Sequence, residues 1–413
     1  MSKKVIIIGG GAAGMMAAIS AGEEGASVVV LERNEKAGRK LYITGKGRCN
    51  LTNDCTPEEA LRSTPCNGKF LYSAMNGFSP ADVMGFFENL GVSLKTERGN
   101  RVFPVSDKST DIIDALVREM RQQRVMMFQD RVVQILTKNG KVVGVETERG
   151  QRPCDAVVLA TGGASYPHTG STGDGYDIAE ALGHTIVTPK ASLVALRSQD
   201  KCCGEMQGLA LKNIAVKVVN AKGKAIYQDQ GELLFTHFGL SGPLILSASS
   251  HMRNYENDHY TVVIDLKPAL DEAKLDARIL RDFEENENLD FHNALGGLLP
   301  RAMIPIVVER TGIPMGTKVH SVTREQRRRL LETLKGFTVE ISGPCPIEEA
   351  VITSGGVKVS EIDPKTMASK LVEGLYFAGE VIDVDAYTGG YNLQIAWCTG
   401  RAAGIAAAAE NQD

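Results

Sequence analysis

The sequence predicts an α/β protein whose parallel sheet is built from both ends of the chain and is interrupted by an inserted segment. The first observation is an apolar run at residues 5–8 that leads directly into glycines at positions 9, 11 and 14. The second is that residues 155–159 and 375–377 are short apolar runs followed closely by glycine, as is typical of buried parallel strands. The third is the change between residues 190 and 345 from alternating strands to charged helices, which indicates inserted modules.

These patterns divide the chain into three predicted parts. Residues 1–189 and 345–413 are expected to form one Rossmann-type domain from the two ends of the chain. Residues 190–267 and 336–344 are expected to form an inserted β-barrel-like module, and residues 268–335 an inserted helical module. Ligands of such parallel sheets bind at the carboxyl ends of the strands, so the glycines after each strand are candidate site residues.

The first strand and helix have the spacing of a dinucleotide-binding turn. Gly9 allows the tight turn, Gly11 lets a pyrophosphate approach the backbone, and Gly14 lets helix and strand pack closely. The free N–H groups at the helix start face the phosphates. A second strand at residues 27–31 ends in Glu32, about 20 residues after the glycines, where a carboxylate accepts hydrogen bonds from an adenosine ribose. The alternative is a glycine-rich turn in an ordinary βαβ unit.

Composition and charge exclude several classes of protein. A net charge of −4 in 413 residues gives no general electrostatic reason to bind nucleic acid or an acidic membrane. The apolar run at the N-terminus is broken by glycines and is too short to span a bilayer, and no secretory signal precedes it. The 8 cysteines show neither a disulfide framework nor paired metal-ligand spacing. We therefore expect reduced thiols, no metal and a cytoplasmic protein.

Local patterns predict the remaining elements of the first domain. Residues 80–91 and 110–120 have a helical period, and residues 131–147 read as a hairpin around an Asn-Gly turn at 139–140. Residues 349–357 read as a strand that runs into a glycine turn at 355–356. Residues 34–53 are basic and rich in glycine, which predicts a loop passing over a dinucleotide. A flexible surface loop with solvated charges is the alternative for that stretch.

Four further stretches carry a resemblance to a known family: residues 38–53 (GRKLYITGKGRCNLTN), 160–163 (ATGG), 235–243 (FTHFGLSGP) and 375–394 (LYFAGEVIDVDAYTGGYNLQ). Together with the first turn, they resemble large FAD-dependent flavoproteins with a glutathione-reductase-like fold. Within these, the chain is most similar to bacterial BaiN-like flavoproteins, whose members are named aminoacetone oxidases or 3-dehydro-bile acid 4,6-reductases. The resemblance covers nearly the whole chain and implies a bound FAD.

The resemblance also implies roles for individual positions. Glu32 would bind the adenosine ribose, Val132 or Val133 the adenine, and Glu380 the region of the ribityl chain, where related flavoproteins carry an aspartate. The start of the last helix would face the pyrimidine edge of the flavin, because its free N–H groups favour negative charge; an ordinary helix start with two glycines is the alternative there. The implied cofactor-binding residues are Gly9, Gly11, Ala12, Ala13, Gly14, Glu32, Arg33, Arg39, Lys40, Gly45, Gly47, Arg48, Cys49, Asn50, Val132, Val133, Ala160, Thr161, Gly162, Gly163, Gly379, Glu380, Gly390, Tyr391, Asn392, Leu393 and Gln394.

Two redox reactions stay open at this point. The chain has one dinucleotide fingerprint and no redox cysteine pair, so the flavin itself is expected to do the hydride chemistry. In the first reaction NADH or NADPH reduces FAD, which passes hydride to an activated C=C of an enone, such as a steroid or bile acid. In the second, FAD oxidises an amine and O₂ takes the electrons. We favour the first, with a small apolar or amphipathic substrate, and with Tyr166, His168 and Tyr387 as candidate proton donors.

A third hypothesis is a flavin-binding redox or RNA-associated module without turnover. It would use the arginines at positions 324, 327, 328 and 329. A solvated helix face is the simpler interpretation of that cluster, so we expect neither a nucleic-acid nor a membrane partner.

Overall fold

The computed structural model describes residues 2–409. Their contacts divide the chain into two compact units. The first, unit 1, comprises the chain up to Ser192 and from Pro346 onward, and the second, unit 2, is Leu193–Cys345. Both ends of the chain thus contribute to unit 1. The predicted boundary at residue 189 and the division of the middle segment into two modules stay predictions.

The strands and helices follow one another in three stretches of chain. Before residue 193 the strands are β1 (Lys4–Ile8), β2 (Ser27–Glu32), β3 (Thr52–Asn53), β4 (Leu94–Glu97), β5 (Arg101–Pro104), β6 (Met126–Gln129), β7 (Val132–Lys138), β8 (Lys141–Thr147), β9 (Gly150–Pro153), β10 (Ala156–Leu159) and β11 (Ile186–Ser192). The helices of the same stretch are α1 (Ala12–Glu23), α2 (Arg39–Gly47), α3 (Pro57–Arg62), α4 (Tyr72–Gly77), α5 (Pro80–Asn89), α6 (Ser109–Gln122) and α7 (Asp174–Ala181).

The middle stretch contributes the strands β12 (Leu196–Arg197), β13 (Ala210–Asn220), β14 (Ala225–Thr236), β15 (Gly239–Ser241), β16 (Tyr260–Asp265), β17 (Phe337–Ile341) and β18 (Gly343–Pro344). Its helices are α8 (Lys201–Glu205), α9 (Pro243–Ser249), α10 (Glu272–Glu285), α11 (Phe291–Ala294), α12 (Ile304–Thr311) and α13 (Arg324–Lys335). The last stretch contains β19 (Ile352–Val357), β20 (Leu375–Phe377) and α14 (Tyr391–Ala408).

A five-stranded parallel sheet forms the centre of unit 1, in the order β20-β10-β1-β2-β6. β1 lies between β10 and β2, with Val5 opposite both Ala156 and Val28. Every residue of β10 is buried, as the continuous apolar run of a parallel strand covered on both faces requires. The predicted α/β Rossmann-type fold is confirmed.

Unit 2 is a seven-stranded antiparallel sheet with helices, in the order β17-β16-β13-β14-β15-β12-β18. Its strands alternate in burial, as in β17, where Phe337, Val339 and Ile341 are buried. The helices α10 and α12 pack against α13, which in turn contacts β16 and β17. The apolar residues of sheet and helices share one core.

Several local predictions for unit 1 are confirmed, and two are wrong. The hairpin β7–β8 turns at Asn139 and Gly140, both with positive φ, and α5 and α6 lie where the helical period placed them. Residues 34–53 are not a loop throughout, because 39–43 are helical and α2 bends at Thr44. α2 packs against α6, and a Cβ on Gly38 would lie 3.1 Å from Ile113. This tertiary contact outweighs the local sequence.

The second wrong prediction concerns the glycine pair at 355–356. We expected a turn after the strand, but both glycines lie inside β19 with positive φ. A Cβ on Gly355 would lie 2.6 Å from the Thr188 carbonyl oxygen, and one on Gly356 would lie 2.5 Å from that of Val381. The glycines therefore permit a close approach of backbone on both sides of β19.

Among the helices of residues 2–409, none combines the length and the apolar character that crossing a membrane would require.

Candidate functional site

The turn between β1 and α1 is fixed by two of its glycines and left open at the third. A Cβ on Gly9, whose φ is +105°, would lie 2.5 Å from the Ala160 carbonyl oxygen. A Cβ on Gly14 would lie 1.9 Å from the Gly9 carbonyl oxygen. In the described part of the chain, no atom lies within 4 Å of the Cβ position of Gly11. The N–H groups at the start of α1, including those of Ala12 and Ala13, have no partner within the helix. The turn therefore offers open space beside free donors.

Glu32, at the end of β2, stabilises this turn through hydrogen bonds. Its carboxylate is 8% exposed and accepts the Gly10 N–H at 2.7 Å. It also accepts the Asn34 backbone N–H at 2.8 Å and the Asn34 side-chain amide at 2.6 Å. Arg39 donates to the Asn34 side-chain oxygen at 2.9 Å. Because a carboxylate has about four acceptor positions, one position on Glu32 remains for a ligand hydroxyl.

Arg33 points away from this turn and towards α7. Its guanidinium donates to Thr172 at 2.5 Å and to Asp174 at 3.1 Å. Arg131 reaches the same Asp174 carboxylate at 2.9 Å. Burial raises the pKa of Asp174, but the hydrogen bonds from Thr172 and Arg131 outweigh it and lower the pKa overall. Two arginines therefore share one carboxylate at the start of α7.

A pocket in unit 1 brings the predicted adenine-binding valines next to that arginine pair. It is lined by Arg131, by residues 132–135 of β7 and by α7 residues that include Asp174, Asp177 and Ile178. Val132 is buried, whereas the side chain of Val133 is 48% exposed. The Asp130 N–H donates to the Glu32 carbonyl oxygen at 2.9 Å, which ties the start of β7 to the end of β2.

The loop after β10 lies directly beside the first turn. The Ala160 N–H donates to the Ile8 carbonyl oxygen at 2.9 Å. Gly162 has φ +77°, and a Cβ on Gly163 would lie 2.4 Å from the Thr353 hydroxyl. Within residues 2–409, the buried Thr161 hydroxyl has no hydrogen-bond partner. The loop is thus packed tightly on one side and keeps one unused polar atom.

A charged cluster joins four distant segments of unit 1 around this loop. The Lys40 ammonium donates to the Ser165 hydroxyl and to Glu380, each at 2.7 Å. Glu380 also accepts the Thr353 N–H at 2.7 Å and the Ser165 hydroxyl at 3.1 Å. The side chains of Lys40 and Glu380 are only 21% and 19% exposed. A Cβ on Gly379 would lie 2.8 Å from the Ala13 Cβ, so this cluster adjoins the start of α1.

The start of α14 is pressed against β3. Gly390 has φ +101°, and its Cβ would lie 2.3 Å from the Thr52 carbonyl oxygen. The Gln394 amide accepts the Thr52 hydroxyl at 2.7 Å and donates to the Phe78 carbonyl at 2.8 Å. Asn392 accepts the Ala386 N–H at 2.9 Å and donates to the Ala386 carbonyl at 2.8 Å. These two amides hold protein segments together, so the groups that the helix start offers are backbone N–H groups, including those of Tyr391 and Leu393.

Residues 45–49 of the basic stretch 34–53 make their contacts outside the glycine turn. Arg48 pairs with Glu97 and with Asp107, the latter at 2.8 Å, and its guanidinium carbon lies 4.0 Å from the centroid of the Phe103 ring. Burial raises the pKa of the Cys49 thiol to about 12. Gly45 and Gly47 have positive φ, and a Cβ on Gly45 would lie 2.9 Å from the Asn50 nitrogen. Of the basic side chains implied for FAD, Lys40 is bonded to Ser165 in the loop after β10 and to Glu380, and Arg33 is bonded to Thr172 of the same loop.

The candidate proton donors fall into two segments. Tyr166 and His168 are neighbours whose ring centroids lie 5.7 Å apart, and His168 is exposed. Tyr387 belongs to the segment held by Asn392, where its N–H donates to the Ser63 carbonyl at 2.9 Å. A catalytic role for any of the three stays a prediction.

Sequence reasoning missed Ser165, Thr353 and Asn34. The first two were detectable, because Ser165 follows Gly163 by two residues and Thr353 precedes Gly355 by two. Asn34 follows Glu32 without any motif of its own, so nothing local singles it out.

Helices α1 and α14 set the dimensions of the site. A Cβ on Gly400 would lie 2.4 Å from the Ala13 carbonyl oxygen, and one on Gly404 would lie 2.3 Å from that of Ala17. The helices therefore run side by side in the same direction. Gly400 lies level with Ala13 and Gly404 with Ala17, so α14 extends eight residues beyond the start of α1 at that end of the pair. At 1.5 Å per residue, the two helix starts are offset by about 12 Å along the helix axes. Two helix starts separated in this way fit an elongated ligand with two electron-rich groups.

This arrangement on a Rossmann-type sheet defines the class of FAD-dependent oxidoreductases. Within that class, the chain belongs to the family described as "HI0933-like protein Rossmann domain", whose model matches residues 3–406. The family match spans both units and includes the glycine turn and α14.

Curated relatives share about a third of the sequence over nearly the whole chain. The 3-dehydro-bile acid delta(4,6)-reductase of Clostridium scindens is 31% identical over 389 residues, 93% of each chain. The Escherichia coli protein named ribosomal RNA dihydrouridine synthase is 33% identical to this chain, over 91% of each chain. The Haemophilus influenzae protein of the same name is 31% identical to this chain, over 92% of each chain.

Solved structures support the fold. The 3-ketosteroid-delta4-(5alpha)-dehydrogenase of Rhodococcus jostii has a TM-score of 0.54 at 17% identity, covering 99% of this chain and 97% of that one. The 3-ketosteroid delta1-dehydrogenase of Sterolibacterium denitrificans has a TM-score of 0.53 at 13% identity, covering 98% and 100%. At these identities the likeness concerns the fold alone.

Proposed function

We propose that this protein is an FAD-dependent reductase that uses NADH or NADPH to saturate a C=C bond conjugated to a carbonyl group. The observation that supports flavin binding is the pair of parallel helices whose starts are offset by about 12 Å along their axes. The reaction is supported by the names of the relatives. A delta(4,6)-reductase of a 3-oxo bile acid and a dihydrouridine synthase both add hydrogen across a double bond conjugated to a carbonyl.

The residues present fit FAD as follows. The free N–H groups of α1 and the open face of Gly11 would hold the pyrophosphate. The remaining acceptor position of Glu32 would take a ribose hydroxyl, and the Lys40–Glu380 cluster would lie along the ribityl chain. The backbone N–H groups at the start of α14 would favour negative charge on the flavin pyrimidine edge. Bound FAD would supply hydride transfer between the nicotinamide and the substrate carbon.

A direct test begins with the purified holoprotein under anaerobic conditions. NADH or NADPH should bleach the flavin absorbance, and a steroid or bile-acid dienone should restore it with saturation of the double bond in the product. If neither nicotinamide bleaches the flavin while aminoacetone does, the amine oxidase replaces this proposal. If the nicotinamide bleaches the flavin but no enone reoxidises it, the reductase assignment stands and the substrate class is wrong.

A second candidate substrate is a uridine in ribosomal RNA. The observation in its favour is the 33% and 31% identity to the two dihydrouridine synthases. Three exposed arginines on α13, Arg324, Arg328 and Arg329, could add phosphate contacts. Expression in an Escherichia coli strain lacking its relative separates the two candidates, because only an RNA-directed enzyme should restore the gain of two hydrogens in a ribosomal RNA fragment measured by mass spectrometry.

A further inference from the structure

Two adjacent cysteines in unit 2 lie beside a fixed arginine. Cys202 and Cys203 are both on α8, and the Arg310 guanidinium donates to the Cys202 sulfur at 3.4 Å. Arg310 is itself held in place, because it also donates to the Thr338 carbonyl oxygen at 2.7 Å and lies 3.8 Å above the centroid of the Phe337 ring. These two contacts hold the guanidinium beside the Cys202 sulfur.

The two thiols differ in ionisation. The hydrogen bond from Cys203 and the neighbouring Arg310 lower the pKa of Cys202 to about 7, against the opposing effects of burial and of Asp200. The same hydrogen bond and burial raise the pKa of Cys203. In unit 1, burial raises the pKa of Cys154 and of Cys398 to about 12. Cys202 therefore ionises more readily than Cys203, as the attacking residue of a reactive and resolving pair requires.

We propose that Cys202 and Cys203 form a peroxide-sensitive dithiol, with Cys202 as the attacking residue and Cys203 as the resolving residue. The Cys202 thiolate attacks one oxygen of hydrogen peroxide, so an S–O bond forms, the O–O bond breaks and hydroxide leaves. The Cys203 thiol then attacks the sulfenic acid sulfur, an S–S bond forms and the S–O bond breaks with loss of water. In total, two thiols are oxidised to a disulfide while one peroxide is reduced to two waters.

Burial and helix geometry make this pair selective. Cys202 is 8% exposed and Cys203 is 1% exposed, so the proposed reaction requires an oxidant as small as hydrogen peroxide. Successive side chains of a helix point about 100° apart, so the disulfide requires α8 to open. The bonds that reorganise are Cys203 N–H to the Asp200 carbonyl and Met206 N–H to the Cys202 carbonyl, each 3.0 Å.

The test is peptide mass spectrometry of the purified protein after peroxide treatment at pH 7. Catalase stops the reaction, and the protein is denatured, alkylated with iodoacetamide and digested with trypsin to release residues 202–212. The wild type should lose two hydrogens on this peptide and regain them with dithiothreitol. Cys203→Ser should instead give a dimedone adduct on Cys202, and Cys202→Ser should leave Cys203 alkylatable. Oxidation of Cys202→Ser at the wild-type rate, or a wild-type peptide that stays doubly alkylated, would overturn the proposal.

The role of the arginine has its own readout. Arg310→Met should slow oxidation about tenfold at pH 7, because an ordinary thiol is only a few per cent ionised there. Arg310→Lys should restore part of the rate, and Arg328→Met, on the exposed face of α13, should not change it. If Arg310→Met does not fold, the pH profile of the wild type decides. A rate with its midpoint near pH 7 supports the arginine, and one that still rises through pH 8.5 contradicts it.

Discussion

Replacing Lys40 by Met should destabilise unit 1 by about 2 kcal/mol. The variant loses two hydrogen bonds from the ammonium group, to Ser165 and to Glu380. Hydrogen bonds to charged groups contribute about 1.5–3 kcal/mol, and breaking a fully buried ion pair costs about 3–5 kcal/mol. In the variant Glu380 still accepts the Thr353 N–H at 2.7 Å, and about a fifth of the Lys40 and Glu380 side chains is exposed. The expected loss of stability therefore lies at the lower end of these two ranges.

The single tryptophan provides the assay. Trp397 is fully buried in α14 and donates to the Leu51 carbonyl oxygen at 2.9 Å, so its fluorescence reports unit 1. Urea unfolding of the apoprotein should shift to lower concentration in Lys40→Met. Titration with FAD should also show weaker binding, because the Lys40 ammonium no longer links Glu380 to Ser165 in the loop that contains Gly163.

A matched control uses another lysine of the same unit. Lys141 makes an equally short pair with Glu373, but the side chains are 46% and 60% exposed, so Lys141→Met should cost less than about 0.5 kcal/mol. A double-mutant cycle of Lys40→Met with Glu380→Gln should give a coupling energy above about 1 kcal/mol. Equal urea midpoints for Lys40→Met and Lys141→Met, or no coupling in the cycle, would refute the reasoning.

The other predictions concern the glycines and one buried histidine. Gly14→Ala should give a preparation without flavin colour, because its Cβ would lie 1.9 Å from a carbonyl oxygen, whereas Gly85→Ala on α5, with open space around its Cβ, should keep full flavin absorbance. Gly404→Ala should destabilise unit 1 by about 1–3 kcal/mol through overpacking against α1; an unchanged urea midpoint would contradict the close contact of the helices. Burial outweighs Glu361 and lowers the pKa of His184, so the unfolded chain binds a proton first and stability should fall as pH drops below about 6.5. Urea midpoints at pH 7.5 and 5 should converge in His184→Gln, and an undiminished difference would exclude His184 as the cause.

The sequence predicted those parts of the site that depend on local geometry. Gly14 follows from spacing alone, because its Cβ would clash with the carbonyl oxygen of Gly9 in the same turn. Gly9 has the positive φ of the tight turn, although the atom that excludes a Cβ there belongs to the distant Ala160. The pairing of Lys40 with Glu380 spans 340 positions and depends on how a bent helix and a glycine loop are folded, which no local pattern encodes. For the same reason the pairing of Arg33 with Asp174 has no local signal, and the cofactor role that the resemblance implies for Arg33 stays a prediction.

Long-range packing also explains why the hydrogen-bond partners of Asn392 and Gln394 could not be predicted from the motif. Asn392 and Gln394 lie in the stretch that the resemblance identified, but their amides bond to Ala386, Thr52 and Phe78. A motif shows which residue types occur together, and it does not distinguish a side chain that contacts a ligand from one that supports the backbone beside it.

The backbone contact between α1 and α14 has a consequence for synthesis of the protein. The ribosome completes α1 at Glu23 but begins α14 only at Tyr391, and at about 5–20 residues per second the delay is roughly 20–80 s. Throughout that interval the nascent Rossmann sheet lacks its covering helix, and β20 is also still to come. Leu193–Cys345 leaves the exit tunnel earlier and can fold while the N-terminal segment waits. Capture of the cofactor should therefore wait until α14 has been made.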